Sequence, residues 1–129
     1  MIHTIKNLIN EMEDALDCLD RKKYSNSAIS FVQDKEEIFY MRRIFNHDYY
    51  DSLIFSGRLD EIASDLIQPL QDIYISIKGH NTYLTRAMNV EDVSDVDIPG
   101  AAVSYFKWMD KHEKKLLKEI PKMIKKLQQ

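Results

Sequence analysis

The residues best suited to chemistry sit together in the string Arg42-Arg43-Ile44-Phe45-Asn46-His47-Asp48-Tyr49. Histidine titrates near neutral pH, so His47 can take or give a proton. The planar guanidinium of Arg42 matches the geometry of a phosphate group. Other chemistries lack their residues. Di-iron carboxylate bundles need Glu-x-x-His pairs on facing helices. None of His3, His47, His80 and His112 has a Glu three positions before it, and no two of them stand four apart. There is no Gly-rich phosphate loop and no nucleophile-elbow serine. Lys78-Gly79-His80 does not extend to the His-x-x-Lys-Gly string of histidine phosphotransfer bundles. The single Cys18 excludes an internal disulfide and a cysteine-based zinc site. It reads as a buried, inert thiol. No cofactor and no metal is expected.

The spacing of Arg42, His47 and Tyr49 resembles the Arg-x4-His-x-Tyr motif of HEPN-type helical ribonucleases. In that family the Arg and His face an RNA phosphate across a dimer groove. The resemblance implies that Arg42 stabilises phosphate charge, that His47 is the acid/base, and that Tyr49 is the tyrosine of the motif. Without that activity, Arg42 pairs with a carboxylate such as Glu113, and His47 packs as a partly buried side chain.

The same string lies within Ile38–Phe55, where eleven of eighteen residues are apolar or aromatic. Phe39, Tyr40, Phe45, Tyr49, Tyr50 and Phe55 are six of the chain's thirteen aromatic residues. Aromatics dominate cores and interfaces. A segment apolar on more than one face belongs inside a bundle or between subunits.

Four segments must position these residues. Ile2, Ile5, Ile9, Met12, Leu16 and Leu19 alternate at three and four, one apolar seam of a helix over about 2–20. Glu11, Glu13, Asp14, Asp17 and Asp20 fall off that seam and read as a solvated face. Ser25, Asn26 and Ser27 can cap a second helix. Ala28, Phe31, Val32, Ile38, Phe39, Phe45 and Tyr49 carry it to between Asn46 and Phe55, where Ser56-Gly57 breaks it. The third segment runs from about Arg58 to Met88 on Ala63, Ile67, Leu70, Tyr74, Ile77, Asn81, Leu84 and Met88. Pro69 should kink or break it, and Gly79 is a second weak point. The acidic stretch Asn89–Ile98 lacks the ligand register of a calcium loop and reads as a connection.

The last helix should begin near Pro99, and Pro121 should bend it. Its seam is Ala102, Phe106, Met109, Glu113, Leu116, Ile120, Met123 and Leu127, broadened by Val103, Leu117 and Ile124. Lys111, Lys114, Lys115, Lys118, Lys122, Lys125 and Lys126 clothe the rest.

The fold class expected is therefore all-α: one domain over 1–129, an antiparallel bundle of about four long helices kinked at Pro69 and Pro121. The helices are long enough to leave surface for a larger helical oligomer, a dimer or tetramer. Charge is uneven. Residues 111–129 hold seven Lys and two Glu, a surplus of five positive charges, whereas residues 1–110 carry −8. No run approaches the ~18 apolar residues of a membrane span, and no signal peptide is evident, so a cytoplasmic setting is expected.

The function expected is a non-enzymatic, self-associating scaffold or interaction module. The six aromatics of 38–55 form its interface, and Arg42, Asn81 and Glu113 are polar residues that fix register. One alternative is a HEPN-like metal-independent ribonuclease using Arg42 and His47. The other is a module that binds RNA or an anionic membrane surface through its lysine-rich helix. That helix lacks the interleaved aromatics expected of a stacking surface for single strands.

Overall fold

A computed structural model describes residues 2–19, 28–32, 35–40, 44–88 and 100–129, with side chains for 3–19, 44–86, 104–105 and 107–129. Four α-helices dominate it: α1 (Ile2–Cys18), α2 (Asp48–Phe55), α3 (Ser64–Met88) and α4 (Gly100–Leu127). The helical class holds. A two-stranded antiparallel hairpin is added between α1 and α2, β1 (Ala28–Val32) with β2 (Lys35–Tyr40), in the register Val32↔Lys35 to Ala28↔Tyr40.

The hairpin corrects the expected second helix. Among the described residues of that segment, only Asp48–Phe55 are α-helical. Ile29, Phe31, Val32, Ile38, Phe39 and Tyr40 are β-branched or aromatic, types that fit a pleated strand better than a helix. They fall in the two strands, three in each. The caps expected at Ser25–Ser27 and the acidic connection Asn89–Ile98 lie outside the described residues.

The other boundaries follow local chemistry. Gly57 has φ +69°, a conformation glycine adopts without steric cost. Arg58 N–H donates to Leu53 O at 2.9 Å and Gly57 N–H to Ile54 O at 3.2 Å. That pair of bonds is the Schellman arrangement that closes a helix, so α2 ends where Ser56-Gly57 implied. A 3-10 turn, Leu59–Glu61, follows, and α3 starts at Ser64 rather than near Arg58. Pro69 and Gly79 both lie within α3, which continues through them, as α4 continues through Pro121. α4 starts directly after Pro99.

The largest helix pairing is α3 with α4, and contacts along it run in opposite chain order. Tyr83 meets Tyr105 and Trp108, His80 meets Glu113, and Gln68 and Pro69 share a groove with Lys122 and Lys126. α1 packs on α4 and α2. The core comprises Leu8 and Met12 of α1, Phe45, Tyr50 and Leu53, then Leu70, Ile73, Tyr74 and Ile77 of α3, and Leu116, Ile120 and Met123 of α4. Each fully buried Leu, Ile or Met contributes roughly 1.5–3 kcal/mol relative to exposure. Leu117, expected in the α4 seam, is exposed instead, and Cys18 is half-buried.

Candidate functional site

The aromatic segment is built around Glu11. This residue corrects the expected solvated acidic face: it is buried, whereas Glu13, Asp14 and Asp17 are exposed. One carboxylate oxygen accepts from Tyr49 N–H at 2.7 Å. The other accepts from Tyr50 N–H at 3.1 Å and from the Tyr74 hydroxyl at 2.8 Å. Tyr49 and Tyr50 lie in the first turn of α2, whose N–H groups have no helical acceptor. Locally, only Asp48 N–H is served, by Asn46 Oδ1 at 2.9 Å, since His47 at the N-cap makes no side-chain cap bond. A carboxylate from α1 serves Tyr49 and Tyr50 and also meets the positive end of the helix dipole. The Tyr50 and Tyr74 rings stack at 4.0 Å and 5°. Burial, with Glu11 next in effect, pushes the Tyr74 hydroxyl far above its ordinary range, so it stays a donor.

The loop before α2 is fastened to α3 by Asn81. Its side-chain oxygen accepts from Phe45 N–H and its amide donates to Phe45 O, both at 2.8 Å. The Phe45 ring stacks on His80 at 4.3 Å. His80 is 1% exposed, and its Nε2 lies 3.0 Å from Glu113 Oε2, while its Nδ1 makes no hydrogen bond among the described residues. Glu113 therefore has His80 as a partner.

This fastening places His47 at the mouth of an open groove lined by Ile44, Lys78, Asn81, Thr82, Thr85 and Arg86. His47 Nδ1 lies 2.7 Å from Asp51 Oδ2, and Lys78 Nζ lies 2.7 Å from Asp51 Oδ1. Burial would raise the Asp51 carboxyl, but the hydrogen bonds from Lys78 and His47 outweigh it and hold it below the usual range. With an ionised carboxylate as acceptor, Nδ1 carries the proton and Nε2 is the basic nitrogen. An imidazole oriented this way beside Lys78 and Arg86 can move a proton next to bound negative charge.

Ligand atoms of His47, Asp48 and Asp51 also lie within 4.8 Å of one another. Both Asp51 oxygens are already engaged, Oδ1 by Lys78 and Oδ2 by His47 Nδ1, so a cation there would compete with the His47–Asp51 hydrogen bond.

The expected residues divide as follows. Arg42 lies outside the described residues, as do the side chains of Phe39 and Tyr40, whose backbone is in β2. Phe45 and Tyr50 are buried within one chain. Tyr49 is half-buried, with its hydroxyl 3.2 Å from an Arg58 nitrogen. Phe55 is 90% exposed and Ile54 beside it 46%. Lys111, Lys114, Lys115, Lys118, Lys122, Lys125 and Lys126 are all exposed. Asp51, Lys78 and Glu11 were not singled out in sequence as site residues. The only signal for Asp51 was its place four residues after His47.

No helix among the described residues is long and apolar enough to cross a membrane. No family model, curated protein or solved structure matches the chain.

Proposed function

We propose that the chain is a non-enzymatic, self-associating helical scaffold or interaction module of the cytoplasm. Its helices form an antiparallel bundle, kinked at Pro69 and Pro121, that assembles into a dimer or tetramer. The observation that carries this reading is Phe55, which is 90% exposed at the end of a helix whose Tyr50 and Leu53 are buried. Aromatic anchors of this kind dominate interface energetics. Ile54 and Ile75 add further exposed apolar surface. Asp51–Lys78 and Tyr50–Tyr74 contacts set α2 against the α3 segment that carries Ile75. The test is absolute mass by light scattering after size exclusion, at low and high salt. A salt-resistant oligomer that Phe55→Glu converts to monomer supports the reading. A monomer at both salts rejects it.

A second reading rests on His47 and Asp51 at 2.7 Å. In a HEPN-like, metal-independent ribonuclease, His47 is the acid/base, Asp51 orients it, and Arg42 stabilises phosphate charge. RNA cleavage that persists in chelator and disappears in His47→Ala, with the fold intact, favours it. Cleavage unchanged by His47→Ala removes it.

A further inference from the structure

We propose that the seam between α3 and α4 binds single-stranded nucleic acid, stacking bases on an aromatic cluster at one end and holding phosphates with α4 lysines along its length. The cluster joins residues far apart in sequence, and so corrects the expectation that the lysine helix lacks a stacking surface. Tyr83 of α3 lies 6.1 Å from Trp108 at 14°, 5.7 Å from His112 at 27° and 6.1 Å from Tyr105 at 34°.

None of these four rings belongs to the buried core. Trp108 is 48% exposed and the other three are half-buried. Exposed aromatic surface of this kind suits any base, because every base has a π-face. Gly79 permits the approach: a Cβ there would come within 3.2 Å of His112 Nε2. Burial, with His80 and Lys115 nearby, holds the His112 imidazole below its ordinary range, so it presents an uncharged ring at neutral pH.

Positive charge lies beside the cluster. Lys111 Nζ lies 4.5 Å from the centre of the Trp108 ring. Beyond His112 the same seam continues as a groove bordered by Lys115, Lys122 and Lys126. At 1.5 Å per residue, Trp108 to Lys126 spans about 27 Å. Asp72 and Glu119 also border this groove, so the lysines outnumber its acids three to two. A cationic track beside exposed aromatics is the shared design of proteins that hold single strands without reading sequence.

The same geometry argues against a membrane as the occupant. A helix lying on a bilayer must offer its apolar face to lipid. In α4 that face, Met109, Leu116, Ile120, Met123 and Leu127, is buried against the rest of the chain. Duplexes are disfavoured because their bases are already stacked on one another.

Trp108 is the chain's only tryptophan, so its fluorescence reports directly on the cluster. The full chain is titrated with a short oligouridylate, with inorganic polyphosphate, and with phosphatidylserine–phosphatidylcholine vesicles. The expected result is saturable quenching by the oligonucleotide alone. Its logarithmic salt slope should be about −3, from Lys111, Lys115, Lys122 and Lys126 at about −0.7 each. Tyr83→Leu should weaken binding by about tenfold. Lys111→Gln, a change at an exposed residue, should weaken it less and flatten the slope. Absence of quenching, polyphosphate binding as tight as the oligonucleotide, or preference for vesicles would each overturn the proposal. Oligomer mass is read separately, so a monomer that binds the oligonucleotide rejects self-association and leaves this inference standing.

Discussion

His80 Nε2 and Glu113 Oε2 meet at 3.0 Å between α3 and α4, each side chain almost wholly buried. We expect this pair to hold the two helices in one register, because any slip along their apolar seam would leave buried polar groups unpaired. Removing one member should therefore cost more than removing both. Glu113→Leu is expected to destabilise by about 3 kcal/mol, since it leaves His80 with no partner on Nε2 as well as Nδ1. The double change Glu113→Leu, His80→Phe should recover most of that loss. A denaturant double-mutant cycle measures the coupling. Single and double variants of equal stability would sink the register argument.

Glu11 supports a similar prediction at the other end of the core. Glu11→Ala deprives three donors at once: two backbone N–H groups of α2 and the Tyr74 hydroxyl. Hydrogen bonds to a charged group contribute about 1.5–3 kcal/mol each, though water can enter and replace part of that. A loss of about 3 kcal/mol is expected. Amide exchange should rise first in Asp48–Phe55, because the N-cap His47 makes no cap bond and the Tyr49 and Tyr50 N–H groups depend on Glu11. Uniform acceleration over all four helices, with α2 no faster than α3, would contradict this assignment.

The position of Glu11 also shows what sequence could and could not convey. The seam Ile5, Ile9, Met12, Leu16 was legible, but the buried arc of α1 is centred on Leu8, Met12, Ala15 and Leu19, with Thr4 and Glu11 at its edge. A rotation of part of a turn carries Glu11 from solvent to core, and only tertiary partners can reveal it. In α4 the periodicity located Met109, Glu113, Leu116, Ile120 and Met123 well, because a long helix averages such errors. In 28–40 the apolar pattern suited a helix and a hairpin alike, and β-branched and aromatic preference decided for strands. Likewise His47 was visible as a titratable group. Its partners Asp51 and Lys78 become evident only when α2 is laid on α3.

Two shifted groups give the stability a defined pH dependence. The folded chain holds His112 below its ordinary pKa, through burial and through His80 and Lys115. Above about pH 6.5 the imidazole is neutral whether folded or not, and stability is undiminished. Below that, the unfolded chain takes up a proton that the folded chain resists, so stability falls with pH. Asp51 behaves as a stabilised carboxylate, with its benefit present above about pH 3.9 and lost as pH falls through its lower folded value. Stability measured by denaturation should therefore drop in two stages on acidification. His112→Gln should abolish the first stage and leave the second. A first stage unchanged in His112→Gln would assign it to another group.

Two glycines should respond to alanine in opposite ways. Gly57 has φ +69°, and a Cβ there would meet nothing within 4 Å, so its substitution tests backbone strain alone. The left-handed conformation costs a residue with a Cβ roughly 1–2 kcal/mol, and Gly57→Ala should destabilise by about that much. Gly79 is inside α3, where alanine gains roughly 0.5–1 kcal/mol of helix preference. Its new methyl would press on the His112 ring at 3.2 Å, and that half-buried ring has room to move by a few tenths of an ångström. Gly79→Ala is thus expected to be neutral or slightly stabilising by denaturation while it changes the Trp108 emission through the His112–Tyr83–Trp108 stack. A large destabilisation with unchanged emission would mean that the two helices, rather than the ring, give way at this crossing.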